Sequence, residues 1–138
     1  GIEKFSPAAI RQRSSIPKFQ VHNTALMSAL SDLTREEVFL HPEIRGRWVE
    51  SAVGAYLINH NGRSGISLYY WRERNEEVDF VIQYRNQVIA VEVKSSAGSF
   101  KKGMDTFAGK FKPDKIMLIG KEGIPVEEFL KINPIDLF

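Results

Sequence analysis

Two acids and an amine stand where a buried strand should carry no charge. The stretches VDFVIQY, beginning at Val78, and VIAVEVK, ending at Lys94, are rich in Val and Ile, yet they hold Asp79, Glu92 and Lys94. A strand apolar on both faces sits in the middle of a sheet, covered on both sides. Charged groups there are costly unless they hold a metal ion or one another. The chemistry on offer is therefore a cation site or an internal ion-pair cluster.

The polar run Arg85-Asn86-Gln87 between the two stretches reads as a hairpin loop. With Asn86-Gln87 as the two-residue loop, Arg85 pairs with Val88 and Asp79 lies opposite Lys94. With Arg85-Asn86 as the loop, Asp79 lies opposite Glu92. Glu92 and Lys94 share a face by the period of two, so either register predicts all three groups on one face. Only an odd-length loop without a compensating bulge would scatter them.

The elements around the hairpin must position it. Pro42 suits the first turn of a long helix over about residues 43–59, with Ile44, Trp48, Ala52 and Tyr56 at i, i+4 spacing and Val49, Val53 and Leu57 beside them. Glu50 lies between Gly46 and Gly54 on that helix. Glycine costs about 1 kcal/mol against alanine in a helix. The pair predicts a face thinned for close approach to the sheet, with the carboxylate aimed at it. The plainer alternative is a surface glutamate whose glycine neighbours merely admit a strand.

Residues 67–71 read as an aromatic strand, and the charged link Arg72 to Glu77 leads into the Asp79 strand. A helix over about 100–111 follows, with Ser99 as its candidate cap and Met104, Phe107, Ala108 and Phe111 on one side. Residues 115–120 form a buried strand, and Pro125 opens a short helix. Earlier in the chain, Asn23 can cap a short helix, and Thr34-Arg35-Glu36-Glu37 is a capping-box pattern. Residues 1–17 show little apolar periodicity and read as a linker or arm. The order is helix, three strands, helix, strand: an α/β domain with a mixed central sheet flanked by helices, its last strand parallel after a helical crossover.

Composition bounds the rest. The 138 residues make one domain of ordinary globular make-up, 43% hydrophobic and 26% charged. No apolar run of membrane-spanning length and no signal-peptide pattern is present. The absence of cysteine excludes disulfides, thiol nucleophiles and cysteine-based zinc sites, and predicts a cytoplasmic location. The first residue is Gly1, as in a piece of a longer protein. Six lysines against two aspartates between Lys94 and Lys115 make that segment basic, either a solvated face or a surface for phosphates. His22, His41 and His60 lie on separate elements without metal-ligand spacing. No phosphate-binding loop and no nucleophile elbow occurs.

With this order and the signature Asp79…Glu92-Val93-Lys94, the chain resembles the PD-(D/E)xK nuclease superfamily, the restriction-endonuclease-like fold. Four segments resemble its DUF4143 subset more closely: 18–26 (KFQVHNTAL), 46–51 (GRWVES), 77–80 (EVDF) and 92–95 (EVKS). The resemblance spans residues 18–138, with Val78 where the superfamily usually has proline. It implies that Asp79 and Glu92, helped by Glu50, hold Mg²⁺ or Mn²⁺ and that Lys94 acts on the attacking water and the scissile phosphate. On that reading Arg72, Arg74, Lys101 and Lys102 are candidates for nucleic-acid phosphate contacts, with DNA favoured. It also implies an AAA-type ATPase module upstream in the full chain. A nuclease is one functional expectation. The others are a non-catalytic nucleic-acid- or protein-binding module that tunes the ATPase, and a mere ion-pair cluster.

Overall fold

The computed structural model describes residues 1–7, 15–61, 65–96 and 102–138. In chain order, β1 (Glu3–Lys4) precedes three helices: α1 (Ala25–Leu30), α2 (Arg35–Leu40) and α3 (Pro42–His60). Three strands follow, β2 (Ile66–Glu73), β3 (Glu76–Tyr84) and β4 (Gln87–Lys94). The chain continues through α4 (Lys102–Phe111), β5 (Lys115–Gly120) and α5 (Val126–Phe129), and closes on a 3-10 turn, Pro134–Leu137. The five strands form one sheet in the order β1-β2-β3-β4-β5. Its centre is antiparallel and its two outer pairings, β1 with β2 and β4 with β5, are parallel. This is the mixed sheet expected for the α/β reading, with one strand more.

That extra strand lies in the segment read as an arm. Ile2 and Phe5 are buried, Glu3 pairs with Tyr69, and Ile2 bridges to Lys18. A two-residue strand has no periodicity to reveal it, and its pairing partner lies more than 60 residues away. Arg11 and Arg13 lie outside the described residues, as do Ser99 and Lys101.

Each face of the sheet is covered by a different helix. On one side α3 places Val53 and Leu57 over Leu68, Phe80, Ile82, Val91 and Val93, joined by Phe129 of α5 and Leu137. On the other, Met104 and Phe107 of α4 pack with Phe5, Trp71, Val78, Val81 and Ala90. Gly103 makes this second packing possible, because a Cβ there would stand 2.3 Å from the Glu77 carbonyl oxygen. Helix α2 carries the expected capping box: Thr34 N–H donates to Glu37 Oε2 at 2.7 Å and Glu37 N–H to Thr34 Oγ1 at 3.3 Å. The N-cap of α1 is Thr24 rather than Asn23, although Asn23 Oδ1 accepts from Ala25 N–H.

Both central hairpins turn on an Arg-Asn pair, Arg74-Asn75 and Arg85-Asn86, with each arginine at a φ of 53°. The β3–β4 register is the one that pairs Gln83 with Val88 and Phe80 with Val91. Of the two expected loops, Arg85-Asn86 is therefore the one used.

Candidate functional site

The expected common face is interrupted by a bulge. Between β2 and β3, Tyr69 pairs with Val81 and Trp71 with Val78, so Tyr70 alone stands against Asp79 and Phe80. One extra residue in β3 restarts the alternation: Val78 and Val81 both pack on the α4 side, whereas Phe80 packs on the α3 side. The β3–β4 pairing runs from Tyr84 only as far as Phe80 opposite Val91. Beyond that point the Asp79 side chain takes over. Its Oδ2 accepts the Val93 N–H at 2.8 Å, a group that a continuing ladder would have given to a backbone carbonyl.

This arrangement places Asp79 against the backbone between Glu92 and Lys94. Asp79 is 1% exposed and Glu92 fully buried, and they are the buried charged residues of the described core. Strand alternation puts Glu92 on the side of Ala90, away from Val91 and Val93. Lys94 is half-buried at the strand end. There the Gly120 position of β5 comes so close that a Cβ would meet the Lys94 carbonyl oxygen at 1.8 Å. Gly120 takes a φ of 139°, a conformation suited to glycine.

Glu50 approaches from α3, on the other side of the bulge. Its two glycines do admit neighbours: a Cβ at Gly46 would touch Ser95 Oγ at 3.3 Å, and one at Gly54 would overlap Gln20 and the Phe80 ring. The carboxylate itself is bound to Lys18, whose Nζ lies 2.5 Å from Glu50 Oε1. The same ammonium is 3.5 Å from the Asp79 carbonyl oxygen and 5.0 Å from the centroid of the Phe80 ring. A lysine thus stands between Glu50 and the Asp79 backbone. Sequence reasoning placed Lys18 only as the start of a family-like segment. The signal available was a lone cation ahead of an apolar stretch, which says nothing about a partner 32 residues away.

Of the expected phosphate contacts, Arg72, Arg74 and Lys102 lie at the same end of the sheet. Arg72 pairs in register with Glu77, and Arg74 sits in the β2–β3 turn; both are exposed. Lys102 is exposed at the start of α4, with its Nζ 3.2 Å from Glu76 Oε1. Two carboxylates here are held ionised by their neighbours. The Lys110 hydrogen bond holds Glu73 below the usual carboxylate range, and hydrogen bonds from Thr106 and then Lys102 do the same for Glu76. Lys102 and Lys110 are therefore partly engaged by acids of the β2–β3 hairpin.

The donor chemistry suits a hard divalent cation. Mg²⁺ is held by one or two carboxylates when water and phosphate complete its shell, and Asp79 and Glu92 are of that type. Among the described residues no group of three or more His, Asp or Glu side chains converges as an all-protein cage. Their burial means that a hydrated ion reaches Asp79 and Glu92 only through local opening.

A covered mixed sheet with acids buried at one open end of its central hairpin defines an α/β domain organised around that end. The family model described as "Domain of unknown function (DUF4143)" matches residues 45–138, and the chain belongs to that family. The match takes in α3 from Arg45 onwards and everything after it, hence Glu50, Asp79, Glu92 and Lys94, whereas Lys18 lies before it. No curated protein and no solved structure matches the chain. Among the described residues no helix is long and apolar enough to cross a membrane.

Proposed function

We propose that this domain is a metal-dependent nuclease of the PD-(D/E)xK type, hydrolysing nucleic-acid phosphodiesters, with DNA as the favoured substrate. The observation that carries the reading is the Asp79 carboxylate turned into the ladder at a bulge, where it accepts the N–H of Val93, the residue between buried Glu92 and Lys94. Bulges re-aim side chains beside active sites. Asp79 and Glu92 would hold Mg²⁺ or Mn²⁺; Glu50, on the α3 side and paired with Lys18, would help only after Lys18 leaves it and the carboxylate moves towards the ion. Bound there, the ion supplies charge stabilisation at the phosphate and a more acidic water. Lys94 holds the scissile phosphate and orients the attacking water. Arg72, Arg74 and Lys102 draw the flanking phosphates to the same end of the sheet, and Lys101 is a further candidate. Cytoplasmic location and an AAA-type ATPase upstream in the full chain belong to the same proposal.

Incubation with single- and double-stranded DNA in Mg²⁺ or Mn²⁺ tests it. Wild type is expected to cut, and Asp79→Ala and Lys94→Ala to lose activity on the order of 100-fold or more, the scale of losing a preorganised electrostatic group. Equal cutting by all three proteins defeats the reading.

A specific contact favours a second reading, a non-catalytic binding module that tunes the ATPase. Lys18 already supplies a positive charge to Glu50, so that carboxylate is neutralised without a metal. Isothermal titration with Mn²⁺ separates the two. The nuclease reading expects Lys18→Ala to bind Mn²⁺ more tightly than wild type. The binding-module reading expects neither protein to bind, with salt-dependent DNA affinity retained.

A further inference from the structure

A groove of about 950 Å³ opens beside the Lys94 end of β4, at the large end of the range of about 300–1,000 Å³ typical of ligand sites. Helices α2 and α3 form one wall, and the ends of β4 and β5 with the start of α5 form the other. The groove is mostly apolar, and it includes the rings of Phe39 and Trp48. The α3 periodicity groups Trp48 with Ile44, Ala52 and Tyr56, and it lines this groove, half-buried. Phe39 is 56% exposed. The Arg35 guanidinium lies 5.6 Å from the Phe39 ring centroid, so a flat ligand would stack on Trp48 or share Phe39 with that cation.

The charges around the floor narrow the class. Arg35, Arg45, Lys94 and Lys121 line the groove, against the single carboxylate of Glu127. Among the described residues Arg35, Arg45 and Lys121 make no ion pair, and the buried Nε of Arg45 has no hydrogen-bond partner. An apolar helix laid in the groove would strip water from these cations and give nothing back. A ligand with a flat apolar body and repeated negative charge satisfies both features.

We propose that the groove binds single-stranded DNA, an unpaired base stacking on Trp48 or Phe39 while its phosphates meet Arg45, Lys94 and Lys121. Base–aromatic stacking with cationic tracking of the backbone is the recurrent mode for single strands. A duplex keeps its bases stacked inside and cannot present them to the rings. The inference rests on the nucleic-acid reading above and names the substrate form, with Lys94 common to the groove and to the acid site.

Binding is measured in EDTA, so that loss of catalysis and loss of groove binding are read separately. The chain has two tryptophans, and Trp71 is only 2% exposed, so a fluorescence change on adding oligo(dT) reports Trp48. The expected result is saturable quenching by oligo(dT) and little by a duplex of equal length. With a labelled oligonucleotide, Trp48→Leu and Phe39→Ala are each expected to weaken binding about 5- to 100-fold, the scale of one lost stack. Lys121→Gln, at an exposed position, and Arg45→Gln, at a half-buried one with folding checked by circular dichroism, are expected to weaken binding and flatten its salt dependence. Absence of oligo(dT) binding, binding without quenching, equal affinity for duplex, or indifference to all four variants overturns the inference. Quenching without any cleavage in Mg²⁺ or Mn²⁺ leaves it standing while the nuclease reading falls. Cleavage by a protein whose Trp48 signal stays silent does the reverse.

Discussion

Helix α4 closes one face of the sheet with rings, whereas α3 leaves the other face with glycines, an ion pair and an open groove. On the α4 side, Phe107 packs against Phe5, Trp71 and Phe111 at ring-centroid separations of 4.8 to 5.6 Å, mostly tilted or edge to face. That geometry favours aromatic pairs beyond simple burial. On the α3 side, the half of the helix nearest the site carries Gly46 and Glu50 and turns Trp48 towards solvent. Its other half, with Val53 and Leu57, returns to ordinary core. The α4 face is thus the more densely packed and the α3 face the more open, with Glu92 projecting to the former and Glu50 standing on the latter. The acid-bearing strands lie between them, and the α4 face fixes the sheet on which the α3 face can stay imperfect.

The sharpest way to break this contrast is Phe107→Ala. Truncation of a fully buried phenylalanine is expected to cost about 3–5 kcal/mol in urea unfolding, enough to threaten folding altogether. A loss below about 1 kcal/mol would mean that the α4 face does not anchor the sheet. The second test addresses the acids. The double change Asp79→Asn and Glu92→Met keeps an acceptor for the Val93 N–H and removes two buried carboxylates. It is expected to leave stability unchanged or raise it by about 1 kcal/mol or more, because apolar replacements of buried charges are often stabilising. A marked loss would show that these acids serve the fold.

The smallest expected effect is a pH dependence on the α4 side. Glu73 and Glu76 titrate below their ordinary range in the folded protein because Lys110, and Thr106 with Lys102, bond their ionised forms. Their contribution is present above the unfolded carboxylate value of about 4.3 and is lost as pH falls through the lower folded values. Thermal melts between about pH 6 and pH 3 should therefore show a slope that Glu76→Gln flattens slightly. Both acids are solvent-facing, so screening by salt should flatten it further.

How much of this was legible follows from the range of each interaction. The long helix behind Pro42, the capping box at Thr34 and the Arg85-Asn86 hairpin are local, and period and turn chemistry expressed them. The bulge at Asp79 is not local. It arises because β3 must satisfy β2 on one side and β4 on the other, and nothing in VDFVIQY marks the extra residue. Strict alternation therefore predicted one face for all three groups, where the ladder instead gives way and the carboxylate fills the gap. Glu50 was found through its glycines, but its partner was not, because Lys18 reaches it from a segment without periodicity. Spacing alone groups Trp48 with Ile44, Ala52 and Tyr56 and does not distinguish a groove from a core. The short helix α2 that borders Trp48 carries no buried residue, so the groove could not be read from either element separately.

The Lys18 contact has a consequence in terms of concentration. Ile2 and Phe5 are fixed in the core, and Ile2 exchanges backbone hydrogen bonds with Lys18, so the ammonium is tied to the domain by a short closed loop. A group held this way acts as a ligand whose effective concentration is on the order of millimolar and does not change with dilution. Any free cation seeking Glu50 competes with that internal supply. Its occupancy is then governed by the difference between two cations rather than by its own affinity alone. Lifting residues 15–18 off the sheet would raise the apparent affinity of the site without altering a single carboxylate, and Mn²⁺ titration of Lys18→Ala measures that offset directly.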